Sequence, residues 1–336
     1  MRAGIVFGVL GTVVVRLPSG LVDVGEPRRR AVLGALLVDH GRAVRLDRLI
    51  ALMWGSRPPQ TARKAVQVYV SQLRRSLRGL EGVSLDTDGD GYRLTCSPDH
   101  LDLHVFHQLA SRAAAEIAPG PRRKLLRDAL GLWRGPALAD VGDDGLLVRV
   151  GEGLDEERLS SLEDLYEAEL RLGNEREILR ELHLLSHEHP LRERLAGLLM
   201  VALQRSGRRI EAAAVFPQLR LSLITETGLE PGRALAALHR SILAGEAVLP
   251  PPAPSPPSNR DGTRRDLLDS IGRLSAVHLP SLLEIADGHL RSGDYDRALA
   301  CYHAARALAR DNADEPAMER ATRGVAAARA AASPDG

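Results

Sequence analysis

Residues 61–78 read TARKAVQVYVSQLRRSLR, and the spacing of their apolar positions fits one helix. At about 100° per residue, Ala62, Val66, Tyr69, Val70, Leu73 and Leu77 fall on one face and are expected in a core. Gln60, Arg63, Lys64, Gln67, Ser71, Arg74, Arg75 and Arg78 fall on the opposite face, uninterrupted by any carboxylate. Surface helices ordinarily mix signs, because opposite charges support one another at i, i+4. A face of Arg, Lys, Gln and Ser alone offers phosphate neutralisers together with side chains able to read base edges. The plainer alternative is a solvated amphipathic helix, and context separates the two.

The context is a polarity of charge. The 336 residues carry a net charge of +1. Residues 28–78, however, hold twelve Arg or Lys against two acids, Asp39 and Asp47, a local net of +10. Residues 101–336 hold thirty bases and thirty-five acids. A basic module joined to a mildly acidic body points to nucleic acid at one end and protein contacts at the other. Aromatics make up only 3% while Leu, Ala and Val dominate, which favours helix over strand. Cys96 and Cys301 lie too far apart in sequence to suggest a disulfide framework or a metal set, consistent with a reducing cytoplasm. No apolar run reaches the ~18–20 residues that span a bilayer, so no membrane partner is expected.

Ala3–Val15 is nearly all apolar behind Arg2 and could pass for a signal-peptide core. The next residues are Arg16-Leu17-Pro18-Ser19-Gly20, with no small-x-small cleavage site, and Leu21–Val24 then resumes strand-like composition. The reading is a short antiparallel sheet. Arg28–Asp39 and Asp47–Trp54 read as two helices, the second closed by Gly55 and Pro58-Pro59. The cationic helix comes third. Val83–Thr87 and Tyr92–Cys96 flank Asp88-Gly89-Asp90-Gly91 and read as a β-hairpin. Strands, three helices and a terminal hairpin in residues 1–98 describe a winged helix-turn-helix, whose third helix enters the major groove.

Residues 99–246 turn wholly helical, with an internal repeat. Gly173 and Gly207 stand thirty-four residues apart, followed at the same offsets by Ile178, Leu182 and Leu185, then by Ala212, Phe216 and Leu219. That is the tetratricopeptide period. A Pro-rich linker, residues 247–265, contains PPPAPSPP. Residues 266–332 form a tetratricopeptide-like extension, with Gly293 followed by Ala298, Tyr302 and Ala305. The expected fold is mainly α with a small antiparallel β component: a winged helix-turn-helix followed by an all-α tetratricopeptide-like domain.

The segments RRRAVLGALLVDHG, LDRLIALMWGSRPP, KAVQVYVSQLRRSL and GDGYRL resemble the OmpR-type winged-helix domain of Streptomyces antibiotic regulatory proteins. DALGLWRGPALADV, EHPLRERLAGLLMVALQRSGRRIEAA and GLEPGRALAALHRSIL resemble their bacterial transcriptional activation domain. The resemblance covers roughly residues 5–245. It implies a cytoplasmic activator of a secondary-metabolite gene cluster, binding tandem direct repeats in promoter DNA as a head-to-tail homodimer and recruiting RNA polymerase holoenzyme. Arg63, Lys64, Gln67, Ser71, Arg74 and Arg75 match the outward face of the family's recognition helix; Arg93 lies in its wing. Ser56, Arg57, Pro58, Pro59 and Gln60 match the loop that approaches polymerase. Large family members continue into a nucleotide-binding ATPase, but this chain lacks G-x-x-x-x-G-K-[ST], and no cofactor is expected.

Lys64, Gln67, Ser71 and Arg63 are expected to read bases, and Arg74, Arg75, Arg78 and Arg93 to fix register on phosphates. Arg28–Arg30 either neutralise phosphates or are solvated. Asp86-x-Asp88-x-Asp90-Gly91 mimics the opening of a calcium loop, but the twelfth position is Ser97 where a bidentate Glu is needed, so the hairpin is preferred. His183, His187 and His189 read as solvated residues near a helix C-terminus, favoured by its dipole, and no metal is expected. Trp133 reads as a core anchor and Arg134 as a helix-end cap. No nucleophile, paired-carboxylate or other catalytic set stands at motif spacing, so no enzyme is expected. The rival function is a tetratricopeptide-like scaffold whose basic N-terminal module binds a protein partner.

Overall fold

The computed structural model describes residues 6–55, 57–142, 146–246 and 315–332, together with 283, 286–288, 290, 291, 298, 302, 305, 306 and 309. In chain order the elements are Val6–Gly8 (β1), Val14–Leu17 (β2), Gly20–Val22 (β3), Pro27–Val38 (α1), Ala43–Arg45 (β4), Leu46–Trp54 (α2), Ala62–Ser76 (α3), Ser84–Asp88 (β5) and Gly91–Thr95 (β6). Further helices span Asp102–Ala115 (α4), Pro119–Leu130 (α5), Leu146–Arg171 (α6), Glu175–Glu188 (α7), Glu193–Arg205 (α8), Arg209–Thr227 (α9), Arg233–Ala244 (α10) and Glu315–Ala332 (α11). Two compact units emerge: residues 1–44, 69–142 and 151–258 in one, and 45–68, 143–150 and 259–336 in the other.

In the first unit, β1, β2 and β3 pair antiparallel in that order, with Phe7 opposite Val15 and Arg16 opposite Leu21. The apolar N-terminal run is therefore two strands, with Val9, Leu10 and Val13 buried in the connection between them. Pro at the first turn of α1 fits a position with no intrahelical donor to lose. From Ala31 to Val38 every residue of α1 is buried. A second sheet has the order β4-β6-β5. The β5–β6 hairpin lies where the sequence predicts it, Asp88 facing Gly91 across a two-residue turn. The short strand β4 escapes a sequence reading, because three residues carry too little pattern.

The helical body bears out the repeat. Gly173 and Gly207 adopt φ of 81° and 79°, left-handed values that glycine reaches without steric cost, in the turns entering α7 and α9. At the predicted offsets Ile178, Leu182, Ala212 and Leu219 are buried, and Leu185 and Phe216 pack against the same cluster. Glu163, Glu167 and Glu169 of α6 are also buried, and each has a guanidinium partner: Arg192 at 2.7 Å, Arg194 at 2.8 Å and Arg127 at 2.5 Å. Buried carboxylates persist only when paired in this way. Trp133 is buried edge-on against Phe106, centroids 5.4 Å apart, as expected of a core anchor.

The junction near residue 98 is a packed joint. Leu101 forms a parallel bridge with Phe7. The buried carboxylate of Asp102 accepts hydrogen bonds from the amides of Val9 (2.9 Å) and Leu10 (3.2 Å) and from Arg134 Nη2 (3.1 Å). Arg134 also donates to Thr12 O at 3.0 Å, so it is a tie to the β1–β2 connection and not the helix-end cap that the sequence suggested. Asp140 accepts from the Val13 amide at 2.8 Å and pairs with Arg30 at 2.6 Å. Arg30 is thereby resolved as a structural residue. Gly151 sits under this loop, where a Cβ would stand 2.7 Å from the Ala137 carbonyl oxygen. Gly151→Ala is expected to cost about 1–3 kcal/mol through forced backbone movement, read by urea denaturation; unchanged stability would show that the loop yields freely.

In the second unit, Ala298, Tyr302 and Ala305 are buried in one cluster with Ala321, Val325 and Ala328 of α11. The predicted apolar offsets of the C-terminal extension are thus buried together, while Gly293 and the linker lie outside the described residues. The fold class matches expectation: mainly helical, with small antiparallel sheets.

Candidate nucleic-acid interface

Helix α3 divides as its sequence predicts. Ala62, Val66, Val70, Leu73 and Leu77 are buried, Leu73 completely. Tyr69, expected with them, is only half-buried. Arg63, Lys64, Gln67, Ser71, Arg74, Arg75 and Arg78 are all exposed. The helix ends at Ser76, so Arg78 stands in the closing turn, its amide donating to Arg75 O at 3.3 Å.

The exposed cations differ in how they are held. Among the described residues, the side chains of Lys64, Gln67, Ser71 and Arg75 have no hydrogen-bond or ion-pair partner. Arg63 pairs with Asp47 of α2 at 2.9 Å, both side chains well exposed. Such a surface pair contributes little and exchanges readily for a phosphate. Arg74 is committed to the wing: Nε donates to Leu85 O at 2.8 Å, Nη2 to Thr87 Oγ1 at 2.8 Å, and the guanidinium lies 5.7 Å from the Tyr92 ring centre. Arg93 pairs with Asp88 inside the hairpin. With Asp86 and Asp90 also on the wing, the positive potential is concentrated on α3.

Sequence reasoning missed two parts of this surface. Leu85, Thr87 and Tyr92 hold Arg74, a contact between residues eleven to eighteen positions apart that charge counting cannot see. Val68 is 46% exposed in the middle of the polar face. A helical wheel contains the signal, since Val68 lies one turn from both Lys64 and Ser71.

Arg57, Pro58, Pro59 and Gln60, the described part of the loop before α3, are exposed; Ser56 lies outside the described residues. Asp86 and Asp88 are occupied within the hairpin, by Ser84 Oγ at 2.6 Å and by Arg93. His183, His187 and His189 lie in the C-terminal half of α7 and the residue that closes it, and all three are exposed. Among the described residues no His, Cys, Asp and Glu cluster could hold a metal ion, and no helix is long and apolar enough to cross a membrane. Cys96 is buried beside His40, whose Nε2 lies 2.9 Å from its carbonyl oxygen, and burial pushes its thiol up to about 11.

Comparison with known proteins agrees with this division. Residues 24–94 match the family model described as transcriptional regulatory protein, C terminal, and residues 101–243 match the bacterial transcriptional activator domain. The chain is 34% identical over 261 residues to regulatory protein DnrI of Streptomyces peucetius, covering 74% of this chain and 96% of that protein. It is 40% identical over 256 residues to regulatory protein AfsR of Streptomyces griseus, covering 74% of this chain; the matched part is 26% of AfsR, so the chain spans about a quarter of that relative. A solved structure of Mycobacterium tuberculosis EmbR in complex with a low affinity phosphopeptide superposes with a TM-score of 0.68 at 28% identity, over 83% of this chain and 71% of that one. With both modules matched in order, and DnrI matched over nearly its whole length, the chain belongs to the Streptomyces antibiotic regulatory protein family of transcriptional activators.

Proposed function

We propose that the chain is a sequence-specific DNA-binding activator of a secondary-metabolite gene cluster. It sits on tandem direct repeats in promoter DNA as a homodimer and recruits RNA polymerase holoenzyme through the loop 56–60, in the cytoplasm. The observation that carries the reading is the free polar face of α3: Lys64, Gln67, Ser71 and Arg75 are exposed, unpartnered among the described residues and uninterrupted by acid. Such a face suits the major groove, where Lys and Gln read base edges and Arg neutralises phosphates. Arg63 joins them on release from Asp47. Arg78, in the turn after α3, adds a phosphate contact. Arg74 and Arg93, expected from sequence to meet phosphates, are assigned instead to holding the wing, because their guanidinium groups are engaged within it. Residues 1–98 are assigned to DNA, 99–246 to activation, 247–265 to a linker and 266–332 to an accessory helical extension.

The test separates base reading from phosphate binding. Duplexes are selected from a random pool with the full-length chain, then titrated in parallel with a scrambled duplex. Gln67→Ala is expected to weaken the selected duplex about tenfold, equivalent to roughly 1.4 kcal/mol, and leave the scrambled one unchanged. Arg75→Ala is expected to weaken both and to lower the salt slope by about one. Equal losses on both duplexes in both variants would refute the assignment.

A further inference from the structure

We propose that Val68 is a specificity-determining residue of α3, packing its methyl groups against the 5-methyl group of a thymine in the major groove. This rests on the DNA-binding reading above and adds a base preference to it. Val68 does not belong to the margin of the core. At about 100° per residue, the buried Val66, Leu73 and Leu77 centre one side of α3, and Lys64, Val68, Ser71 and Arg75 run along the side opposite. Val68 is thus a single apolar side chain set within a polar stripe, one turn from Lys64 and one from Ser71.

An exposed valine is in itself common on a protein surface. Its position gives it meaning. The base edges in the major groove display hydrogen-bond donors and acceptors, and thymine alone adds an apolar group, its C5-methyl. A helix seated there by Lys64, Ser71 and Arg75 brings Val68 to the same floor. Polar neighbours on the stripe would satisfy hydrogen-bonding edges, whereas Val68 has nothing to offer them. A β-branched side chain also holds one dominant rotamer in a helix, so its methyl groups are placed before DNA arrives. Contact of this kind withdraws about one methyl group from water, which corresponds to a threefold to fivefold preference for thymine over the same base without its methyl.

The experiment replaces thymidine by deoxyuridine, one position at a time, in a duplex selected from a random pool by the full-length chain. Wild type is expected to lose affinity about threefold to fivefold at one thymine in each bound repeat and to be indifferent elsewhere. Val68→Ala is expected to bind the thymine and uracil duplexes equally at that position, with its melting transition unchanged because the side chain is exposed. Val68→Thr, which keeps one methyl and the branched shape, is expected to retain part of the preference. A consensus lacking thymine, a wild type indifferent to every substitution, or a Val68→Ala variant with the wild-type ratio overturns the proposal while leaving DNA binding intact. Failure to enrich any duplex overturns the DNA-binding reading and this proposal with it.

Discussion

Asp102→Ala is expected to lower the stability of the chain by about 2–4 kcal/mol, the cost of leaving two buried main-chain donors without an acceptor. The buried carboxylate gathers the buried amides of Val9 and Leu10 and the half-buried guanidinium of Arg134. Its removal strands Arg134 against the β1–β2 connection and leaves two main-chain donors unsatisfied, each a penalty in its own right. Asp102→Asn keeps the shape and an acceptor but loses the charge facing Arg134, and is expected to fall between the two. The measurement is urea denaturation of the intact chain followed by circular dichroism. A loss below about 1 kcal/mol for Asp102→Ala, the size of one ordinary hydrogen bond, would show that this carboxylate does not hold the joint. The start of α4 and the N-terminal sheet share this carboxylate, so the beginning of the stretch that matches the bacterial transcriptional activator domain is tied to the connection between β1 and β2.

The architecture was largely legible because its signals are periodic or local. The 3.6-residue rhythm of α3, the Asp-Gly turn of the hairpin and the thirty-four-residue interval between Gly173 and Gly207 each act over a few turns of chain. The joint was not legible, because Asp102 and Val9 lie 93 residues apart and neither stands in a motif. For the same reason Arg134 reads locally as a cap, although its partners are Thr12 and Asp102. At the DNA face, sequence located the cations but not their commitments. Arg63, Arg74 and Arg93 are alike as letters, yet Asp47, the wing carbonyl of Leu85 and Asp88 give each a different availability. Val68 escapes notice because sorting residues into apolar and charged sets leaves no place for an apolar residue on the polar side.

The double variant Lys64→Glu/Arg75→Glu is expected to lose about two orders of magnitude in affinity for every duplex at low salt, since two cations on the groove-facing side, one assigned to base edges and one to phosphates, become anions beside a polyanion. Both side chains are exposed and unpartnered among the described residues, so no contact is lost; the cost to the fold is an acid in the last turn of α3 in place of Arg75, about 1 kcal/mol or less. The melting temperature is accordingly expected to stay within a few degrees of wild type. Reversal at Arg74 would be a poor substitute, because its guanidinium ties α3 to the wing and its loss would confuse binding with stability.

A fluorescence-anisotropy titration of this double variant and of wild type, on a labelled selected duplex in dilute buffer, decides whether the polar face of α3 carries the DNA contact. Wild type is expected to bind tightly, the variant to bind about a hundredfold more weakly, and the two melting curves to lie within a few degrees of each other. An equally folded variant that binds the duplex as wild type does would contradict this expectation, and would move the DNA contact away from α3 altogether.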